Sequence, residues 1–259
     1  MEQPHGTGME RMTRTARLNL RKLGDNAYPG RGIVMGVSAG GKSLIQVYWI
    51  MGRSENSRNR IFVPDGVTLR TEAADPARMS DPSLVIYTAM RELPGHYMVT
   101  NGDHTDTLWE GISAGRTFPQ ALSTRVHEPD DPNWTPRIAG DIDLTAENHM
   151  VWLAIIKAHP FDPGTSIRQF HQYEKLAPGF GWCITTYQGD GAPLPSFVGE
   201  PYLLPLDGGP AEILASVWDH LNRDNRVAIA LKCIDPQSGK SAIRVLNRFQ
   251  PAQRGAGNE

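Results

Sequence analysis

Three arginines, Arg53, Arg58 and Arg60, fall within the stretch GRSENSRNR at 52–60, among Ser54, Asn56, Ser57 and Asn59 and beside one acid, Glu55. Planar guanidinium forks match phosphate oxygens two at a time, and hydroxyl and amide donors can fill the remaining lone pairs. Such a loop can cradle a phosphate or another oxyanion; the plain alternative is a solvated basic turn. A second polar cluster, NGDHTD at 101–106, offers Asp103, His104 and Asp106 as metal ligands, with His159 or His171 to join them. No HExxH or paired-cysteine spacing accompanies it, and Asp and Asn at a strand end commonly serve turns, so no metal is expected. The neighbouring carboxylates Asp130 and Asp131 read as loop solvation, with Asp130 capping its own turn. No GxSxG elbow is present, and Cys183 lies inside an apolar run, which leaves nucleophilic catalysis without support.

Composition narrows the partners. Lys and Arg total 26 against 28 Asp and Glu, a net charge of -2, so any anion recognition by the arginine loop is local. The 259 residues are 39% hydrophobic and 21% charged, which suits one globular domain with a sizeable core. Cys183 and Cys233 are the only cysteines and read as small buried hydrophobes of a reducing compartment. No stretch approaches the ~18 apolar residues of a membrane span, and a cytoplasmic location is expected.

The elements that must position these groups alternate. Residues 1–27, polar and basic, read as an N-terminal extension or short amphipathic helix, and the domain proper as 28–249, with 250–259 a loose tail. Ile33–Val37 and Ser43–Met51 read as strands around the glycine-rich connection Ser38–Lys42, and one short strand with loop is expected within 61–82. Ser83–Met90 and His96–Thr100 are expected as strands, then helices over Thr107–Gly115 and Pro119–Val126. The proline-rich loop Glu128–Arg137 is stiff, because proline lowers the entropy lost on ordering. After a strand at Ile138–Leu144, a helix capped by Thr145 and running through Met150, Leu153, Ile156 and Lys157 is expected, and a second over Ser166–Leu176. A strand at Trp182–Tyr187, an amphipathic helix from Pro210 and strands at Arg226–Ile234 and Ser241–Phe249 complete an α+β reading.

The stretches YPGRGI at 28–33, GRSENSRNR at 52–60, NGDHTD at 101–106, EPDDPNWTPRIAG at 128–140, TYQGDG at 186–191 and PSFVGEP at 195–201 together resemble the archaeal-type IMP cyclohydrolase family. The resemblance runs in that family's order over roughly 28–249. It implies the four-layer αββα sandwich of N-terminal-nucleophile hydrolases without the processed nucleophile. It further implies dehydrative closure of 5-formamidoimidazole-4-carboxamide ribonucleotide to inosine 5′-monophosphate. The implied ligand is a purine nucleotide, with no cofactor, metal, nucleic acid or membrane, and with a homo-oligomer admitted. Two alternatives stay open: a cyclase of the same fold acting on another substrate, and a non-catalytic purine-nucleotide binder.

That reaction needs a phosphate cradle, donors for an oxyanion and a group that moves protons. The resemblance implies Arg31, Arg53, Ser54, Arg58, Asn59, Arg60 and Arg137 for the anionic substrate, and Asn101, Gly102 and Asp106 near its ribose or base. Tyr87, on the strand before the NGDHTD turn, and Glu128, heading the stiff loop, are the candidate catalytic pair.

Overall fold

The computed structural model describes residues 7–146 and 149–250. Helix α1 (Gly8–Asp25) leads to the hairpin β1 (Gly32–Val37) and β2 (Leu44–Met51), then the short helix α2 (Glu55–Arg58). Strands β3 (Arg60–Asp65), β4 (Thr68–Ala73), β5 (Thr88–Leu93) and β6 (His96–Thr100) precede α3 (His104–Ser113) and α4 (Phe118–Ala121). Next come β7 (Arg137–Asp143), β8 (Met150–His159), β9 (Asp162–Tyr173), β10 (Phe180–Thr185) and β11 (Tyr202–Pro205). Helix α5 (Pro210–His220) and the pair β12 (Arg226–Ile234) and β13 (Ser241–Asn247) close the fold.

The strands form two antiparallel sheets, ordered β11-β10-β1-β2-β12-β13 and β3-β4-β5-β6-β7-β8-β9. All eight residues of β2 are buried, because both faces of the strand are covered. Tyr48 and Ile50 point into a core shared with Phe62, Leu69 and Leu153 of the second sheet. Their neighbours Val47, Trp49 and Met51 turn to the other face, where Leu20 and Leu23 of α1 and Ile213, Leu214 and Val217 of α5 cover them. On the far side of the second sheet, Leu108 of α3 and Phe118 of α4 pack on Met98, Ala139 and Ile156. Each fully buried aliphatic side chain contributes roughly 1.5–3 kcal/mol, so the inter-sheet core and the layer beneath α1 and α5 both contribute heavily to the stability. The α+β expectation holds at this level, two antiparallel sheets with a few helices.

Four local expectations are corrected. The helix expected from Thr145 is instead β8, and that over Ser166–Leu176 is β9. Residues 61–82 hold two strands, β3 and β4, rather than one. Ser83–Met90 is not one strand: the chain turns over Ser83–Leu84–Val85, and β5 begins only at Thr88. Residues 8–25 form a helix closed by a capping box, in which Thr7 and Glu10 satisfy each other's backbone N–H. No helix among the described residues is long and apolar enough to cross a membrane.

Candidate active site

The turn before β1 begins the site. Gly30 has φ +73°, and a Cβ there would lie 2.2 Å from Thr186 Oγ1 and 2.5 Å from the Tyr187 ring, so only glycine fits. That close approach sets Arg31, whose backbone N–H donates to Thr186 Oγ1 at 3.1 Å. Its Nη1 reaches across to both Glu128 oxygens, at 3.0 and 3.1 Å. Glu128 is held in turn by its stiff loop: its N–H donates to the Thr135 carbonyl at 2.9 Å, and Asp130 accepts the Thr135 N–H at 2.6 Å. Arg31, Glu128, Tyr28, Tyr187, Arg53 and Ser54 line one cleft of about 300 Å³.

A second pair lies behind it. Tyr48, on the inner face of β2, and Tyr87 bring their hydroxyls to 2.6 Å. Tyr87 sits one residue ahead of β5, at a register shift against β4, where its N–H donates to Thr71 Oγ1 at 2.8 Å. It thus lies just ahead of a strand rather than within one, and β6 leads into the NGDHTD turn as expected. Tyr48 is fully buried and Tyr87 retains 8% exposure, so Tyr87 is the more accessible member of the pair.

The arginine loop divides. Arg53 faces the cleft, bonded to the Asp190 carboxylate and to the Gly191 carbonyl, with its guanidinium 5.0 Å over the Tyr28 ring. Ser54 caps α2 through Ser57. Arg58 turns away: Nε donates to the Gly52 carbonyl and Nη2 to Asn225, and it lines a separate cavity with Asn59, Arg78 and Phe249. Asn59 ties the loop to Asp75, donating to its carbonyl and accepting from its N–H. Arg60 is buried, holding the carbonyls of Ser57 and Met51 at 2.7 and 3.0 Å, while its Nη1 has no partner among the described residues. A cradle of three exposed arginines is therefore not what this stretch builds. One arginine faces the cleft, one braces the loop from behind, and one sits inside near Tyr48 and Tyr87.

The NGDHTD cluster also disperses. Asn101 is a buried strap, donating to the Pro136 carbonyl and accepting from Ile138 N–H at 2.7 Å. Asp106 pairs outward with Arg91 at 2.8 Å, and Asp103 binds Arg125 and Arg137. His104 donates through Nε2 to the Ile138 carbonyl at 3.0 Å, which leaves Nδ1 to accept from Arg137 Nη1 at 3.3 Å. Asp103 and His104 thus share Arg137 while Asp106 turns to Arg91, and no group of three or more metal-ligating side chains converges among the described residues. Arg137 does not open onto the cleft; it stands behind Glu128, with Gly102 packed so close that a Cβ would meet Arg137 Nη1 at 2.8 Å.

Burial sets the electrostatics. It pushes the Glu128 carboxyl up, against the pull of Arg31 and Arg137. Burial works against the Arg31 charge, but Glu128 and the nearby tyrosines outweigh it and hold the guanidinium ionised. Tyr48 is pushed well up by burial and by the Tyr87 oxygen, and Tyr187 is raised by burial as well. Burial, and then Arg137, drive His104 down to about 3.

His104 gives a stability prediction with a definite sign. Its folded pKa lies below the unfolded value near 6.5, so the neutral ring contributes stability that is present above pH 6.5. That contribution is lost as pH falls toward about 3, because the unfolded chain takes up the proton first. Denaturant unfolding of the wild type should show a loss of about 2 kcal/mol between pH 7 and 5 from this group. In His104→Gln that part of the slope should vanish; an unchanged slope would show that His104 is not the titrating group.

Sequence reasoning missed Tyr48, Thr135 and Tyr187. Tyr48 sits in the apolar run SLIQVYWIM, where only the period-2 alternation marks it as inward. Thr135 and Tyr187 lie within the quoted EPDDPNWTPRIAG and TYQGDG stretches but carried no assigned role.

A model of the family described as IMP cyclohydrolase-like protein matches residues 28–239, and the chain belongs to that family. A protein of Halobacterium salinarum named IMP cyclohydrolase is 32% identical over 135 residues, 51% of this chain and 63% of the relative. One of Methanothrix thermoacetophila with the same name is 26% identical over 168 residues, 63% of this chain and 76% of the relative. One of Methanosphaera stadtmanae, named likewise, is 26% identical over 166 residues, 62% of this chain and 74% of the relative. The chain thus spans less than two thirds of the length of the Halobacterium relative.

Proposed function

We propose that the protein is an IMP cyclohydrolase that closes 5-formamidoimidazole-4-carboxamide ribonucleotide to inosine 5′-monophosphate with loss of water. With this goes the four-layer αββα sandwich of the N-terminal-nucleophile hydrolases, without a processed nucleophile. The observation that carries the reading is the buried Arg31–Glu128 pair at the floor of a cleft whose rim holds Arg53. A proton-moving carboxylate, a fixed cation and a phosphate-matching guanidinium are what this ring closure requires.

In the reaction the carboxamide nitrogen attacks the formyl carbon of the same molecule. That nitrogen loses one proton as the C–N bond forms, and the formyl oxygen becomes an oxyanion that is then protonated. The formamido nitrogen loses the second proton as the oxygen departs as water. Glu128, ionised beside Arg31 yet raised by burial, can accept a proton and return it. The Tyr48–Tyr87 pair carries two hydroxyl protons and commits one to the bond between the oxygens, so one remains for the oxyanion. Arg53, with Ser54 and Ser57, takes the 5′-phosphate. Arg60 adds buried positive charge nearby, and Asn101, Gly102 and Arg137 brace the site behind Glu128, whereas Asp106 pairs outward with Arg91 and Asn59 faces a separate cavity.

Incubating the purified protein with the formamido ribonucleotide and following product absorbance tests the reading; no turnover would sink it. Exhaustive chelation should leave the rate unchanged, because closure needs only positioned donors and proton transfer. Arg53→Ala should weaken inosine 5′-monophosphate binding by about 1.5–3 kcal/mol, measured calorimetrically. Arg58→Ala should leave binding within experimental error, since its guanidinium is committed to Gly52 and Asn225. Equal losses from the two variants would return the phosphate site to the whole loop.

A further inference from the structure

One wall of the cleft has a fixed hydrogen-bond polarity. Asp130 accepts twice from Thr135, from its N–H at 2.6 Å and from its Oγ1–H. A threonine hydroxyl has a single proton, so Oγ1 has none left for its other neighbour, the Tyr187 hydroxyl at 2.5 Å. Tyr187 must therefore donate to Thr135. No second hydrogen bond to the phenolic oxygen is present among the described residues, so that oxygen keeps lone pairs but no proton free for a ligand. The ring is closely packed: Gly30 lies where any Cβ would strike it, and Tyr28 stacks on it at 5.9 Å and 23°.

We propose that Tyr187 is a specificity-determining residue that receives a hydrogen bond from an N–H or O–H of the substrate, with Thr135 and Asp130 locking it as an acceptor. This inference rests on the cyclohydrolase reading above. The same cleft is lined by Arg31, whose guanidinium presents only donors. The two groups therefore sort a ligand by orientation: its lone-pair atoms face Arg31, and its N–H or O–H faces Tyr187. A ligand offering only lone pairs to Tyr187 leaves two acceptors opposed and a desolvated oxygen unpaired, which a buried site rejects strongly.

The test uses the full chain with Tyr187→Phe, Thr135→Val and the double variant. Tyr187→Phe should raise KM for the formamido ribonucleotide about ten-fold, with kcat within about three-fold of wild type. Thr135→Val frees the phenolic proton and should also raise KM. The double variant should match Tyr187→Phe alone, because both changes act through one oxygen. The ring stays in place in Tyr187→Phe, so its thermal midpoint should be nearly unchanged. An unchanged KM in Tyr187→Phe, a loss confined to kcat, or additive losses in the double variant would each overturn the assignment. Failure of the wild type to turn over would refute the cyclohydrolase reading instead. In that case the ratio of Kd values for inosine 5′-monophosphate between wild type and Tyr187→Phe decides: about ten-fold supports the acceptor role, and unity, or no binding by either protein, overturns it.

Discussion

Glu128→Gln should lower kcat by about 10²–10³-fold while leaving inosine 5′-monophosphate affinity within a few-fold of wild type. The glutamine has the same shape and still offers Arg31 an acceptor, but it cannot take a proton from the attacking nitrogen. Stability should move little, for two opposing reasons. The fold raises the Glu128 pKa, so the carboxyl contributes stability that is present at low pH and lost as pH rises through the raised value. Glutamine removes that loss, whereas Arg31 gives up its counter-charge, which costs. Thermal midpoints at neutral pH should therefore agree within a few degrees. The pH profile supplies a second check: the wild type should lose kcat/KM as pH falls through the Glu128 pKa, and the residual activity of the variant should lack that limb. A variant that turns over at the wild-type rate would remove Glu128 from the chemistry.

The sequence made the site's members easier to find than their directions. Glu128 was marked by the stiff proline-rich loop it heads, whereas Arg31 was pointed out only by the family resemblance of its YPGRGI stretch. The directions of Arg58 and Arg60 were not legible. They look identical to Arg53 in composition, yet α2 turns the chain so that one lies behind the loop and the other is buried. The fold was lost at β8 for a related reason. That strand is covered on both faces, with Val151, Leu153 and Ile155 in the inter-sheet core and Ala154 and Ile156 under α3 and α4. Continuous apolar text carries no period-2 signal, and Met150, Leu153, Ile156 and Lys157 happen to fit a helical stripe. Strand β9 failed differently: it is an edge strand whose Arg168, Gln169 and Gln172 favour a helix locally, and pairing with β8 overrides that preference.

Tyr87→Phe should lower kcat by about 10²-fold, with Tyr48→Phe costing less, about ten-fold. The hydroxyl pair shares one hydrogen bond at 2.6 Å and keeps one proton free. Because Tyr48 is fully buried and Tyr87 is not, the free proton that meets the formyl oxygen belongs to Tyr87, and Tyr48 donates its own proton to the Tyr87 oxygen from behind. Tyr48 is pushed well above the ordinary tyrosine range, so it stays neutral across the working pH and holds its neighbour by hydrogen bonding rather than by charge. Removing Tyr48 loosens the orientation of Tyr87; removing Tyr87 deletes the donor itself. The double variant should be no slower than Tyr87→Phe alone, since Tyr48 has nothing left to orient. The thermal midpoint should fall in both single variants, because each leaves a buried hydroxyl without its partner, at about 1–3 kcal/mol. Stability therefore cannot separate the roles, and the ordering of kcat does. If Tyr48→Phe proves the slower enzyme, the donor is Tyr48 and the order of the pair is reversed. If both turn over like the wild type, the oxyanion is met by Arg31 alone.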